Sequence, residues 1–237
     1  MIIFDLDGTL VDSTDDLAAS ANATLQALGL PPRSREEIRS FIGEGARRLV
    51  ERAIAPRTDL LERALALYLE HYAAHVVDAT YVYEGVGDAL RSLPGPLAVA
   101  TNKPGRPARQ VLAHFGLLEL FVAVLGGDEG PRKPDPALVD RLRATVAASR
   151  EETVLVGDSS VDLETSRQAD VRFVGVGWGI GSSSRRRPSL SARFAAPRTG
   201  AWRGRSPDAT ASSASSAGVA WASSTARSTR RPALPSP

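Results

Sequence analysis

MIIFDLDGTLVDS, residues 1–13, holds an apolar run of Ile2, Ile3 and Phe4 that ends in two carboxylates, Asp5 and Asp7, with Gly8 and Thr9 directly after. A short, β-branched apolar run is the pattern of a buried strand, so residues 1–4 are expected to form one and to deliver Asp5 to its C-terminal tip. In an open parallel sheet ligands bind at such tips, and a glycine there lets the backbone turn sharply beside them. The stretch therefore predicts both a sheet and a site.

Outward from it, Ser13 or Thr14 is placed to cap a helix over about 15–28, stopped by Gly29, Pro31 and Pro32. Ser34 with Glu37 makes a capping box for a second helix. Apolar positions at helical spacing continue through Leu49, Ile54, Leu60, Leu61, Leu65 and Leu69, broken near Gly43, Gly45 and Pro56. From Tyr81 the pattern alternates: strands are expected at 97–100, 122–125, 154–156 and 173–176, with helices near 86–93, 106–115, 135–148 and 160–168 between them. The expected fold class is α/β, a Rossmann-like parallel sheet. Its core is discontinuous, residues 1–13 and 81–180, interrupted by an all-helical insert at 14–80; residues 181–237 form an Arg/Ser/Ala/Pro-rich, low-complexity tail.

The 237 residues include no cysteine, which excludes a disulfide framework, cysteine-ligated zinc and a thiol nucleophile, and suits a reducing cytoplasm. No window approaches the roughly 18 apolar residues of a membrane span, so a soluble protein with no membrane partner is expected. The net charge of +2 hides an asymmetry. Residues 181–237 carry ten arginines against one acid, Asp208, so the remainder of the chain is acidic. That tail composition is of the disordered type.

Each core strand ends in a polar cluster: Asp5 with Asp7; Thr101, Asn102 and Lys103; Gly127 with Asp128; Gly157, Asp158 and Ser159, with Asp162 following. Lys133 opens KPDP before a helix. Carboxylates from two strand tips can share one hard cation, and Mg2+ favours a few carboxylates, water and a phosphate oxygen. Thr101, the Asn102 amide and the Lys133 ammonium are placed to hold the remaining phosphate oxygens. Of the 29 basic residues only Lys103 and Lys133 are lysine, and both stand in these clusters. Competing readings fit poorly. A calcium loop starting at Asp5 would need glycine where Leu10 stands and glutamate where Asp16 stands. A dinucleotide loop from Gly175 would need glycine at Ile180. His71 and His75, one helical turn apart without a third ligand, read as a solvated helix face. Gly43 and Gly45 either break helices or form a loop closing over a substrate, and Arg47 is either surface charge or a carboxylate clamp.

The stretches FDLDGTLVDS, ATNK, KPDP and VGDSSVD, in this order, resemble the four motifs of the haloacid dehalogenase superfamily of phosphatases, and the insert is similar to that superfamily's smaller cap. FIGEGARRLVERAI at 41–54, ATNKPG at 100–105 and LGGDE at 125–129 resemble its phosphoglycolate phosphatase branch. The resemblance implies that Asp5 is a nucleophile forming an aspartyl-phosphate and that Asp7 is the general acid and base. It implies a Mg2+ held by Asp5, the Asp7 backbone carbonyl and Asp158, with Thr101 and Lys133 on the phosphoryl oxygens and Asp162 supporting Lys133 or the metal. A cap supplying Gly43, Gly45 and Arg47 would select a small phosphorylated metabolite, 2-phosphoglycolate foremost. Other small-metabolite phosphatases, a pyrophosphatase or a phosphomutase share such a core; a dehalogenase has no use for Asp7. Relatives continue after the Trp178–Gly179 pair with a further strand and helix, whereas this tail has the composition of GC-rich codons read out of frame. A different class, an inactive relic binding nucleic acid through the tail, is set against the acidity of residues 1–180.

Overall fold

In the computed structural model, which describes residues 1–181, the run Ile2–Phe4 forms β1. It pairs in parallel with β4 (Leu97–Ala100) on one side and with β6 (Val154–Gly157) on the other. Between them in sequence lie β2 (Val11–Asp12), α1 (Thr14–Ala27), α2 (Arg35–Phe41), α3 (Ala46–Ile54), α4 (Leu61–Ala74), β3 (Tyr81–Val82) and α5 (Val86–Ser92). After β4 come α6 (Gly105–His114), β5 (Phe121–Leu125), α7 (Ala137–Thr145), β6, α8 (Ser160–Gln168) and β7 (Arg172–Gly175). The parallel sheet has the order β5-β4-β1-β6-β7. The chain runs outward from β1 through β4 to β5, then crosses back to β6 on the other side, so the tip of β1 stands at the switch point where parallel sheets open a crevice.

Alternation along β1 divides the core. Ile3 packs with Leu138, Val139, Leu142 and Leu155 on the α7 side, while Phe4 joins a larger cluster that extends through Leu17, Leu49, Tyr68 and Tyr72 of the helical segment. The α/β expectation holds, and β4 falls on 97–100 as expected. The helical insert breaks where glycine and proline predict, between Phe41 and Ala46 and between Ile54 and Thr58. The described part of the chain belongs to one compact unit, so the divisions at 13/14 and 80/81 follow secondary structure and chain order.

One local expectation is corrected. Ser34 and Glu37 form the capping box at α2, but Ser13, although it is the N-cap residue of α1, makes no side-chain cap bond. Its hydroxyl donates instead to Asp7 Oδ1 at 2.6 Å, and Asp12 Oδ1 accepts the Thr14 N–H at 3.0 Å. An antiparallel pair, β2–β3, with Val11 opposite Val82 and Asp12 opposite Tyr81, joins the two ends of the helical segment. Buried Asp16 reinforces this junction by accepting the Ala79 and Thr80 N–H groups, both at 2.8 Å, and the Thr80 hydroxyl at 2.6 Å. The expectations for the tail beyond Gly181 lie outside the described residues.

Candidate active site

The tips of β1, β4 and β6 come together with the loop that carries Lys133. Lys133 Nζ lies 2.8 Å from Asp5 Oδ1 and 2.7 Å from Asp162 Oδ1, with its side chain 1% exposed. Asp162 also accepts from the Ser159 hydroxyl at 2.6 Å and from the Ser159 N–H at 3.1 Å, because the two form the capping box of α8. These partners outweigh the burial that acts to raise its proton affinity, and hold Asp162 below the usual carboxylate range. Lys133 is likewise buried, but Asp162 and Asp5 hold it above the ordinary lysine value.

Asp5 shares Lys133 with Asp162. Burial pushes its carboxyl up to about 7; Lys133 opposes the shift, and the charges of Asp162 and Asp158 add to it. Asp158 is raised too, first by burial and also by Asp162, against bonds from the Gly181 N–H at 2.7 Å and the Thr9 hydroxyl at 3.2 Å. Ligand oxygens of Asp5, Asp158 and Asp162 all lie within 4.8 Å of one another. Three clustered carboxylates against one ammonium leave excess negative charge in a desolvated site, and a hard cation with oxygen ligands fits that donor set. The Asp7 carboxylate stands outside this cluster. Gly8 makes the cluster possible: its φ is +90°, and a Cβ there would run into the Asp158 carboxylate.

Asp7 faces the other way, toward Lys103. Lys103 Nζ lies 3.0 and 3.1 Å from the two Asp7 carboxylate oxygens and 4.7 Å from the centre of the Tyr72 ring. Asp5, Asp7, Thr101 and Lys103 line one side of a cavity of about 40 Å³, and Gly43, Gly45, Leu49, Tyr68 and Tyr72 of the helical segment line the other. That volume admits only a few water-sized groups. Lys103 was legible as one of two lysines, both at strand-tip clusters, whereas its pairing with Asp7 and the contribution of Tyr72 carried no sequence signal.

Two expected ligands are engaged by other partners. Both amide hydrogens of Asn102 are spent on backbone carbonyls, those of Gly43 and Lys133, each at 3.0 Å, so its side chain ties the helical segment to the sheet instead of offering a phosphate donor. Arg47 forms a two-pronged pair with Glu62 at 2.8 and 2.9 Å, well exposed and outside the cavity lining. A carboxylate on the neighbouring helix, fifteen residues on, satisfies its guanidinium. Gly43 and Gly45 do reach the site, through the Asn102 bond and through the close approach of Gly45 to the Asn102 carbonyl oxygen. His71 and His75 stack at 4.3 Å and bond to Ser20 and Asp78.

Known proteins resemble this chain over most of its length. A phosphoglycolate phosphatase of Cereibacter sphaeroides is 45% identical over 182 residues, spanning 73% of this chain and 82% of that protein. One of Chromobacterium violaceum is 39% identical over 193 residues, spanning 77% and 87%. The crystal structure of a predicted phosphoglycolate phosphatase from Haemophilus somnus superposes with a TM-score of 0.73 at 31% identity, covering 78% of this chain and 88% of that one. The family profile of haloacid dehalogenase-like hydrolases matches residues 2–176, a span that takes in all four strand-tip clusters, and the chain belongs to that family.

Proposed function

We propose that the chain is a Mg2+-dependent phosphomonoesterase of the cytoplasm, with 2-phosphoglycolate as substrate. The observation that carries the reading is the division of labour between the two carboxylates of DLD. Asp5 sits among Lys133, Asp158 and Asp162 at the acidic cluster, and Asp7 is turned away onto Lys103 and Ser13. Asp5 Oδ attacks phosphorus, the bond from phosphorus to the ester oxygen breaks, and the phosphoryl group passes to Asp5 as an acyl phosphate. Asp7 delivers a proton to the departing alkoxide, then takes one from the water that hydrolyses the acyl phosphate. Lys133 and Thr101 hold phosphoryl oxygens, and Asp162 orients Lys133. Bound through Asp5, Asp158 and the Asp7 carbonyl, Mg2+ would supply charge neutralisation between nucleophile and phosphate.

The substrate assignment is supported by relatives that bear that name at 39–45% identity over most of their length. A panel of small phosphomonoesters assayed with and without Mg2+ tests the reading. It expects metal-dependent turnover highest on 2-phosphoglycolate; equal turnover across the panel overturns the substrate, and no metal-dependent turnover overturns the enzyme. Asp7→Asn is expected to slow hydrolysis of poor leaving groups by roughly 10²- to 10⁴-fold.

A further inference from the structure

We infer that Lys103 is the residue that recognises the substrate's carboxylate, an inference that rests on the phosphoglycolate reading above. Among the described residues lining the cavity, Lys103 is the only cation. Its side chain is 2% exposed, yet its ammonium faces a carboxylate, Asp7, that is 13% exposed and turned to the same cavity. The alternative clamp, Arg47, is engaged by Glu62 outside it. Lys133, the other lysine, is occupied by Asp5 and Asp162.

The covalent geometry of the substrate agrees. In 2-phosphoglycolate the carboxyl carbon is two bonds from the ester oxygen. Asp7 must touch that ester oxygen to protonate it, and Lys103 Nζ lies at hydrogen-bond distance from both Asp7 oxygens. An ammonium has three donors, so Lys103 can keep one on Asp7 and turn another to a carboxylate that reaches past it. The Tyr72 ring beneath Lys103 carries a buried hydroxyl with no hydrogen-bond partner among the described residues, so this corner holds a further donor in reserve. Lys103 thus acts as a specificity-determining residue: it reads the one charged group that separates 2-phosphoglycolate from an alkyl phosphate of the same size.

The test compares 2-phosphoglycolate with ethyl phosphate, in which a methyl group replaces the carboxylate. Lys103→Met is expected to lower kcat/KM for 2-phosphoglycolate roughly tenfold to a hundredfold more than for ethyl phosphate. It is also expected to weaken competitive inhibition by phosphonoacetate while sparing that by ethylphosphonate. Because each ratio is taken on the same folded molecules, it survives a loss of folded yield; Lys103→Arg, which keeps the charge, is expected to retain more of the preference than Lys103→Met. Arg47→Ala should leave the ratio unchanged. If Lys103→Met slows both substrates equally, Lys103 serves Asp7 alone and the inference is overturned while the phosphoglycolate reading stands. A fall of the ratio in Arg47→Ala overturns it in favour of that residue. If the parent protein shows no preference between the two esters, the phosphoglycolate reading itself fails and this inference falls with it.

Discussion

At the scale of single residues, the site turns on the sharing of one ammonium by two carboxylates. Asp162 also accepts two bonds from Ser159 that favour its charged form, so Asp5 is the carboxylate in need of further positive charge. Asp5→Asn is isosteric but has no nucleophilic oxygen anion, and its turnover is expected to fall by roughly 10³-fold or more with the fold intact; a steady-state assay beside a circular dichroism spectrum checks this. Lys133→Arg keeps the charge, but a planar fork cannot fit where a 1% exposed side chain bridges Asp5 and Asp162 at 2.8 and 2.7 Å. Its kcat is expected to drop at least about tenfold, and kinetics equal to the parent's would move Lys133 out of the phosphoryl site. Residue identity at the strand tips was legible because DLDG, TNK, KPDP and GDSSVD concentrate charge where packing has no use for it. The direction of individual side chains was not. Arg47 and Lys103 are both cations near glycine-rich turns, and only the position of Glu62 and of Asp7 in space separates an exposed pair from a cavity group.

At the scale of elements, the turn after β1 does the positioning. Gly8 has φ of +90°, and a methyl group there meets the Asp158 carboxylate, so Gly8→Ala is expected to displace Asp158 and weaken divalent-cation affinity by about tenfold or more, read by calorimetric titration. The other decisive element is the β2–β3 pair. Its strands of two residues each are too short to show the period of two by which strands are read, and it passed unseen while the longer β4, β5 and β6 were found. Asp16 holds the same junction. Removing its carboxylate strands the Ala79 and Thr80 N–H groups and the Thr80 hydroxyl, so Asp16→Ala is expected to cost about 3 kcal/mol of unfolding free energy, measured by urea titration.

At the scale of the whole molecule, the acidic cluster ties stability to pH and to cations. Asp5 is raised from an ordinary value of 3.8 to about 7, so its contribution to stability is complete below 3.8 and is lost as pH rises through about 7. Asp158 is shifted in the same direction. The metal-free protein should therefore lose melting temperature between pH 4 and pH 7 through Asp5. Asp5→Asn should flatten that slope and be more stable than the parent near neutrality, and stabilisation by Mg2+ should grow with pH as the carboxylate ionises. A scanning calorimetry series with and without the cation checks both; a slope unchanged in Asp5→Asn would assign the titration elsewhere. The α/β class and the order of strands and helices were legible because apolar runs and turn residues alternate regularly after Tyr81, whereas the cavity between helices and sheet depends on distant contacts that no local pattern encodes.

The pairing of Val11 with Val82 and of Asp12 with Tyr81 means that the chain leaves the sheet and returns to it through neighbouring hydrogen-bonded residues. The 68 residues of helix and loop at 13–80 thereby behave, toward the sheet, like the tip of a hairpin. An insertion mounted this way can be lengthened, shortened or exchanged without moving the register of β1 against β4 and β6. The helical wall of the cavity and the groups on the strand tips, Lys103 among them, can then change at separate rates over evolutionary time.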